Sequence, residues 1–217
     1  MTHANAIEMC SAVCPWLALV WCLQRIAILV VPPLRGWKLL AVTGAIAVAV
    51  LLVPVQGLVF ARWVAGLNAN FSIPLTAILG VIVWERAFER SLLSEREWTT
   101  AWSFGAIGGL ALYPMALGLG SFDPYEWGWP FSPLFVVIGV LTVVLVWKQN
   151  RFGFLLVLAA VAFQLHLLES INYWDYLLDP VYSLVSIVWL AAGFVTSMRN
   201  SRTKRYSKTL PPNISTI

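Results

Sequence analysis

The stretch PLFVVIGVLTVVLVWKQNRFGFLLVLAAVAFQ, residues 133–164, decides the fold, because only the cationic turn Lys148–Arg151 separates its two apolar runs. With their flanks these runs cover residues 131–147 and 152–172, close to the roughly 20 residues that a helix needs to cross a bilayer. Similar runs recur along the chain between prolines, glycines and charge clusters. The sequence therefore predicts an all-α, polytopic transmembrane helix bundle over residues 1–198. Its seven spans are expected at about 13–32, 37–61, 71–88, 98–119, 131–147, 152–172 and 180–198.

The composition agrees with a lipid environment. Of the 217 residues, 60% are apolar and 11% are charged, whereas about a quarter are charged in ordinary soluble domains. Too little polar surface remains to cover a water-soluble globule, so we expect a multi-pass protein of the inner (cytoplasmic) cell membrane, with membrane lipids as its partners. The net charge of +4 does not indicate a nucleic-acid partner, because most cations lie at span ends and in the tail. Residues 1–14 lack the basic region of a signal peptide, so no cleavage is expected.

Several predicted spans begin with a capping signal. Ser94 and Glu97 are spaced as a capping box before the fourth span. Ser132 precedes Pro133, and Asp179 precedes a proline in the same way, which is the usual order of a cap and a first helical residue. These local signals agree with the hydropathy.

Positive and negative charges are sorted between alternate connections of the predicted bundle. Lys and Arg are retained on the cytoplasmic side of membrane proteins, so the sorting predicts an outer N-terminus and a cytoplasmic C-terminus. The basic tail, residues 199–217, is expected to be disordered and to lie against anionic headgroups. The predicted cytoplasmic cations are Arg35, Lys38, Arg86, Arg90, Arg96, Lys148, Arg151 and the five of the tail, and the predicted outer carboxylates are Glu8, Asp123, Glu126, Glu169, Asp175 and Asp179.

Two predicted spans carry a small residue at every fourth position. Small residues allow helices to pack closely in lipid, where no hydrophobic force draws them together. We interpret both rows as helix contacts within one chain, with a dimer interface as the alternative. Pro54 and Pro114 are expected to kink these two spans. The small residues are Ala41, Ala45 and Ala49 in the second span and Ala101, Gly105 and Gly109 in the fourth.

The segment HLLESINYWDYLLD, residues 166–179, holds the largest group of polar side chains near the end of a predicted span. If the sixth helix continues through it, most of them share one side, because positions three and four apart are neighbours. Such a stripe would hold a cation, relay protons or bind a polar headgroup, with Glu169 as a general base. The structural alternative is an interfacial aromatic belt, a helix cap at Asp179 and a packing hydrogen bond between His166 and Glu169. The candidate ligand-binding residues are His166, Glu169, Asn172, Tyr173, Asp175 and Tyr176.

The loop SFDPYEWGWP, residues 121–130, combines two carboxylates with four aromatic rings. Aromatic faces beside carboxylates bind sugars or quaternary amines, although Trp and Tyr are also common at any membrane boundary. Together with residues 169–179, the loop would form an acidic, aromatic outer face that favours a cationic or polyhydroxylated partner. Its candidate ligand-binding residues are Asp123, Glu126 and Trp127.

Arg25 is the remaining candidate. It lies some eight residues before the expected cytoplasmic end of the first span, or about 12 Å along a helix. Its guanidinium would snorkel to the surface, form an internal ion pair or contact a substrate anion.

The cysteines and the histidine do not indicate a metal site. Cys10, Cys14 and Cys22 follow no zinc or redox spacing and are interpreted as apolar packing residues, with a Cys10–Cys14 disulfide left open. His166 and Glu169 would supply only two ligands, so we expect no metal and no cofactor.

No short motif in the sequence forces a reaction, since a phosphate-binding glycine loop, a Gly-x-Ser-x-Gly turn and a His-Glu-x-x-His pair are all missing from it. Three functions stay open. The main hypothesis is binding or translocation of a small polar or glycan-like ligand through the acidic, aromatic vestibule. An accessory or assembly subunit would need only small-residue seams and aromatic loops, for a protein partner or a homo-oligomer. A membrane-embedded enzyme would act on a lipid-linked substrate with Glu169 or Asp175 as its base.

Overall fold

The computed structural model describes residues 3–30, 34–129 and 132–209, with side chains at residues 7–27, 34–129 and 132–198. These residues are mainly helical, as the predicted all-α class requires, with one short β-hairpin and a 3₁₀ helix at Pro124–Gly128. The helices are α1 His3–Val30, α2 Gly36–Leu51, α3 Phe60–Leu67, α4 Ile73–Phe88, α5 Glu95–Ala116, α6 Pro133–Trp147, α7 Phe152–Gln164, α8 Tyr173–Leu177 and α9 Pro180–Thr209, and the strands are β1 Pro54–Val55 and β2 Leu58–Val59.

Two segments have the length and the apolar composition to cross a membrane: Ile7–Ala27 within α1 and Pro180–Met198 within α9. Three further apolar helices, α2, α6 and α7, are shorter. They contain 16, 15 and 13 residues, or about 24, 22 and 20 Å at the helical rise. Each is therefore shorter than the roughly 30 Å hydrocarbon core of a typical bilayer.

The predicted second span divides into a helix and a hairpin. α2 ends at Leu51, and the two strands pair through a turn in which Gln56 and Gly57 have φ of +50° and +85°. Positive φ at both central residues is the geometry that closes a two-residue hairpin. The prediction that Pro54 kinks a helix is wrong, because the helix has already ended, whereas Pro114 does lie inside α5.

Two further segments differ from the predicted boundaries. α7 ends at Gln164, and His166 follows with φ of +50°, a left-handed conformation that is typical of helix ends. Residues 173–177 then form the separate helix α8. At the C-terminus α9 continues to Thr209, so part of the tail expected to be disordered is helical, and residues 210–217 lie outside the described residues.

Polar caps fix where α4 and α5 begin. The predicted capping box of α5 is confirmed, since the Ser94 hydroxyl accepts from the Glu97 amide and the Glu97 carboxylate accepts from the Ser94 amide at 2.8 Å. Ser72 caps α4 by accepting from the Leu75 amide at 3.4 Å. Such caps satisfy amide donors that the first helical turn leaves free.

α5 packs closely on α9 through small residues. A methyl group added at Gly105 would overlap Ser186, and one added at Gly109 would overlap Ser183. Ala101, one turn earlier, is fully buried. The predicted seam on this helix is therefore confirmed as a contact within one chain.

The prediction that the alanine row of α2 packs within one chain is wrong. Ala41, Ala45 and Ala49 are exposed, and another face of the helix is buried against α1. There Trp16 lies over Gly44 and donates its indole N–H to the Gly44 carbonyl at 3.1 Å. Because α2 is apolar on every side, residue spacing did not show which face is packed. The buried residues of α2 are Leu39, Thr43, Gly44, Ala47 and Leu51.

Candidate functional site

The two loops expected on the outer face meet in the structure. They are residues 121–129 and 165–179, here called the loop cluster. The Tyr125 hydroxyl of the first loop donates to Asp175 Oδ2 of the second at 2.9 Å, and the Asn172 side chain donates to the Tyr125 carbonyl at 3.0 Å. Burial, together with the Asp175 charge, raises the pKa of Tyr125 to about 12. The phenol is therefore neutral at physiological pH and serves as a donor that ties one loop to the other.

Gly128 allows the two loops to approach closely. A methyl group at this position would overlap the Asn172 side chain, so no larger residue fits without movement. Asn172 is 1% exposed, and its Oδ1 accepts from the Trp174 amide at 2.9 Å. The Trp174 indole donates to the Pro124 carbonyl at 2.8 Å. A buried amide paired at both ends is a structural element, so Asn172 holds the loops together.

Tyr173 and Tyr176 lie in the core beneath the loop cluster. Tyr173 stacks on Phe135 with ring centroids 4.5 Å apart, and burial raises the pKa of its phenol to about 12. The Tyr176 hydroxyl accepts from the Leu168 amide at 3.1 Å. The sequence predicts both side chains in a vestibule on an extended sixth helix, and this prediction is wrong. They pack inward because α7 ends at Gln164 and the chain turns back.

The other predicted site residues of the loop cluster are more open to solvent. His166, Glu169, Glu126 and Trp127 are exposed, whereas Asp123 is half-buried and accepts from a loop amide at 2.8 Å. The helical stripe that would join His166 to Glu169 does not form, since α7 stops before both residues. Among the described side chains, neither Glu126 nor Glu169 forms an ion pair.

Asp179 joins the N-termini of α4 and α9. Its Oδ2 accepts from the Ser72 amide at 3.0 Å, and its Oδ1 accepts from the Tyr182 amide at 2.9 Å. The residue is 2% exposed. Burial raises the pKa of Asp179 above its ordinary value, although hydrogen bonds from Ser72 and Tyr182 oppose that rise. The predicted cap of α9 is confirmed, whereas no local pattern indicates that the same carboxylate also caps α4.

Arg25 lies level with the last turn of α4. Its guanidinium carbon is 5.4 Å from the Trp21 ring centroid, within cation–π distance. Arg86, in that last turn, is close enough for the two positive charges to repel each other. Gln24 fixes this level by donating its side-chain amide to the Val83 carbonyl at 3.4 Å. Arg25 is exposed and therefore stands beside the end of a neighbouring helix, although the sequence predicts it about 12 Å before the cytoplasmic end of its own span.

Several polar groups near Arg25 and the last turn of α4 have no hydrogen-bond or ion-pair partner. Among the residues whose side chains the structure describes, Arg25 and Arg86 form no ion pair. The Arg86 Nε and Gln24 Oε1 atoms are buried without a hydrogen bond. Glu85 is next to Arg86 in sequence, but its carboxylate accepts from two backbone amides of the 91–93 turn. The internal ion pair considered for Arg25 is thus not formed within the described part of the chain.

An apolar cavity of about 570 Å³ lies between α1, α3, α4 and α9. Along α1 it extends from Cys14 to Cys22, about 12 Å at the helical rise. Three of its lining residues, Cys22, Val181 and Val185, are exposed, so the cavity opens sideways between α1 and α9. Its volume falls in the usual range of ligand pockets. This site is not predictable from the sequence, because a cavity results from packing between distant segments and leaves no local signal.

The cysteines are free, which leaves Cys14 and Cys22 as thiols in the cavity wall. Within the described residues, no three His, Cys, Asp or Glu side chains converge as metal ligands would. The chain matches no protein-family model, no curated protein and no solved structure. A functional conclusion must therefore come from the cavity and from the charged groups around it.

Proposed function

We propose that this protein is an integral protein of the cytoplasmic membrane that crosses it seven times, with the C-terminus inside, and binds a lipid chain in the cavity between α1, α4 and α9. The observation that carries the proposal is the cavity itself, which has apolar walls, a volume of about 570 Å³ and a lateral opening. A hydrocarbon chain is the ligand that such walls accept without leaving a polar group unpaired.

The low burial of the longest apolar helices supports a membrane location. In the best window of Ile7–Ala27 only 22% of the residues are buried, and in that of Pro180–Met198 only 17%. An equally apolar helix in a water-soluble protein would be mostly buried, since exposed apolar patches are small in soluble monomers. Lipid is the solvent that suits these exposed faces.

Contacts between connections support seven crossings. Arg151, between α6 and α7, donates its backbone amide to Glu97 near the start of α5 at 2.7 Å. At the opposite end of these helices the loop cluster joins residues 121–129 to 165–179. α6 and α7 thus reach from one end of the bundle to the other despite their short length. Arg35, paired with Glu89, and Arg151, paired with Glu97, lie at the end of the bundle opposite the loop cluster, where cytoplasmic cations are expected.

A cavity with these walls would not remain empty in a bilayer. Atoms that line a void lose van der Waals contacts on one side, and apolar cavities do not hold water. A lipid chain entering between α1 and α9 restores those contacts. Occupation by lipid is therefore the expected state of the protein in its membrane.

Native mass spectrometry of the detergent-purified protein tests this proposal. The wild type should retain one lipid molecule per chain. Ala18→Phe places a ring inside the cavity and should abolish retention, whereas Ala45→Phe makes the same change on the exposed face of α2 and should not. Lipid binding in the cavity is wrong if the wild type retains no lipid, or if folded Ala18→Phe protein retains as much as the wild type.

A second candidate function is the binding of a small polar or glycan-like ligand at the loop cluster. It is favoured by the exposed side chains of Glu126, Trp127, His166 and Glu169, which present carboxylates, a ring and an imidazole on one pair of loops. Glu169→Gln should then weaken ligand binding without changing the lipid retained in the cavity. If the Glu169→Gln variant binds every tested sugar and amine as tightly as the wild type does, the loop cluster is not the ligand site.

A further inference from the structure

The cavity cannot by itself select a lipid with much affinity. Lipid tails in the bilayer are already in surroundings as apolar as the cavity walls, so moving a chain between them releases no hydrophobic free energy. Affinity and selectivity must therefore come from the polar end of the ligand. The chemistry next to the mouth of the cavity then decides which lipid is held.

Two arginines lie one helical turn beyond the cytoplasmic end of the cavity. Cys22 lines the cavity on α1, and Arg25 follows it by three residues. Ile82 lines the cavity on α4, and Arg86 follows it by four residues. Residues three and four apart share a helix face, so both cations continue the faces that form the cavity wall, about 5 Å further along.

We propose that Arg25 and Arg86 bind the phosphate of an anionic glycerophospholipid of the inner leaflet, one of whose chains fills the cavity. This inference rests on the proposed function, and it names the class of ligand. Arginine suits the task because its planar fork donates hydrogen bonds to phosphate oxygens in pairs. Gln24, next to Arg25 in the chain, donates to the Val83 carbonyl, which lies one turn before Arg86, so the two cations are at the same level of this helix pair.

The unpaired atoms at this level fit a headgroup that carries both charge and a hydroxyl. The Arg86 Nε atom is a buried donor without an acceptor, and Gln24 Oε1 is a buried acceptor without a donor. A phosphate oxygen supplies the missing acceptor, and a glycerol hydroxyl supplies the missing donor. Phosphatidylglycerol offers both, whereas phosphatidylcholine offers a phosphate beside a permanent cation and no hydroxyl.

The protein's own carboxylates do not fill this role. Glu85 accepts from backbone amides of the 91–93 turn, and Glu89 pairs with Arg35 at 3.3 Å. Within the described residues no other ion pair reaches Arg25 or Arg86. The described chain therefore leaves both guanidinium groups open to a counter-charge from outside.

The distances match the length of one lipid chain. The cavity extends about 12 Å along α1, and the arginines lie about 5 Å beyond it. The sum, about 17 Å, is close to half of the roughly 30 Å hydrocarbon core of a bilayer. A lipid whose phosphate touches Arg25 and Arg86 therefore places its chain along the cavity.

The test compares phosphatidylglycerol with phosphatidylcholine of identical chains, each titrated into delipidated full-length protein and counted by native mass spectrometry. One basic side chain near anionic lipid favours binding about fivefold, so two favour it about thirtyfold. Wild type should prefer phosphatidylglycerol by about this factor. Arg25→Gln and Arg86→Gln should each lower the preference about fivefold, because phosphatidylglycerol loses more affinity than phosphatidylcholine, whose phosphate lies beside a permanent cation. Arg86→Lys, which keeps the charge but not the paired hydrogen bonds, should retain more of the preference than Arg86→Gln.

Arg90→Gln is the matched control, since Arg90 is an exposed cation at the same end of the bundle, and it should leave the preference unchanged. Equal binding of both lipids by the wild type would overturn the arginine site while leaving chain binding in the cavity intact. The arginine site would also be overturned if Ala18→Phe abolishes binding of both lipids while neither arginine variant changes the preference for phosphatidylglycerol. Displacement of phosphatidylglycerol by an excess of inorganic phosphate would show a soluble anion site and would also overturn the proposal.

Discussion

Asp179 offers the sharpest test of how the helices are held together, because one carboxylate serves two helix starts. In Asp179→Ala the amides of Ser72 and Tyr182 lose their acceptor, which lies 3.0 Å from the first nitrogen and 2.9 Å from the second. No water replaces it readily, since Asp179 is 2% exposed. The substitution should therefore destabilise the fold at the point where the loop cluster meets the starts of α4 and α9.

The magnitude follows from the two unpaired donors. A buried donor without a partner costs about 1–3 kcal/mol, so two of them cost about 2–6 kcal/mol. Part of this loss is offset, because the variant no longer buries a carboxylate away from water. We expect a net loss of about 2–4 kcal/mol for Asp179→Ala, and about half as much for Asp179→Asn, which keeps one acceptor oxygen.

The assay is equilibrium unfolding of the purified protein in mixed micelles with increasing SDS, followed by circular dichroism. Asp123→Ala is the control, because Asp123 also caps a helix but only a short 3₁₀ helix, and it is half-buried. That variant should lose no more than about 1 kcal/mol. Equal losses in the two alanine variants, or none in Asp179→Ala, would refute the double-capping role.

Three further predictions follow from single contacts. Gly109→Ala should destabilise the protein by about 1–3 kcal/mol, because the added methyl group overpacks the contact with Ser183. In the same unfolding assay Gly139→Ala, whose added methyl group meets no atom, should stabilise α6 by up to about 1 kcal/mol. Tyr125→Phe removes the 2.9 Å bond to Asp175 and should speed amide hydrogen exchange in both loops by about fivefold or more, for a bond worth about 1 kcal/mol. Burial raises the folded-state pKa of Asp179 above 3.8, so the folded chain binds a proton more tightly than the unfolded chain. The free energy of unfolding of the wild type, measured relative to Asp179→Asn, should therefore rise as the pH falls towards 4 and decline as the pH increases.

Local chemistry made part of this fold predictable. The capping box at Ser94 and Glu97 was predictable because a cap needs only neighbours in sequence. The seam at Gly105 and Gly109 was predictable because α5 has one row of small residues and no equal competitor. The row of alanines in α2 misled, since that helix is apolar all round and its packed face depends on where Trp16 of α1 lies.

The rest depended on contacts that no local pattern contains. α7 ends at Gln164 and Tyr173 then packs on Phe135, whereas hydropathy alone continues the helix through this point. The candidate site was therefore only partly predictable. The sequence predicts correctly that the two loops form one surface, but it also predicts the buried side chains of Tyr173 and Tyr176 in a vestibule. The packing of α1 on α4 brings Arg25 and Arg86 to one level and forms the cavity next to them. No sequence motif encodes this packing.

Lipid binding in the cavity requires that the loop cluster and the α6–α7 connection lie on opposite sides of a membrane. Labelling of Glu126→Cys and Gln149→Cys with a membrane-impermeant maleimide, with the unmodified chain as background, measures this directly, since both positions are exposed. Glu126→Cys should be labelled in intact cells, and Gln149→Cys should be labelled only after the membrane is opened. Labelling of both variants in intact cells, or recovery of the protein in the soluble fraction, would contradict the seven crossings.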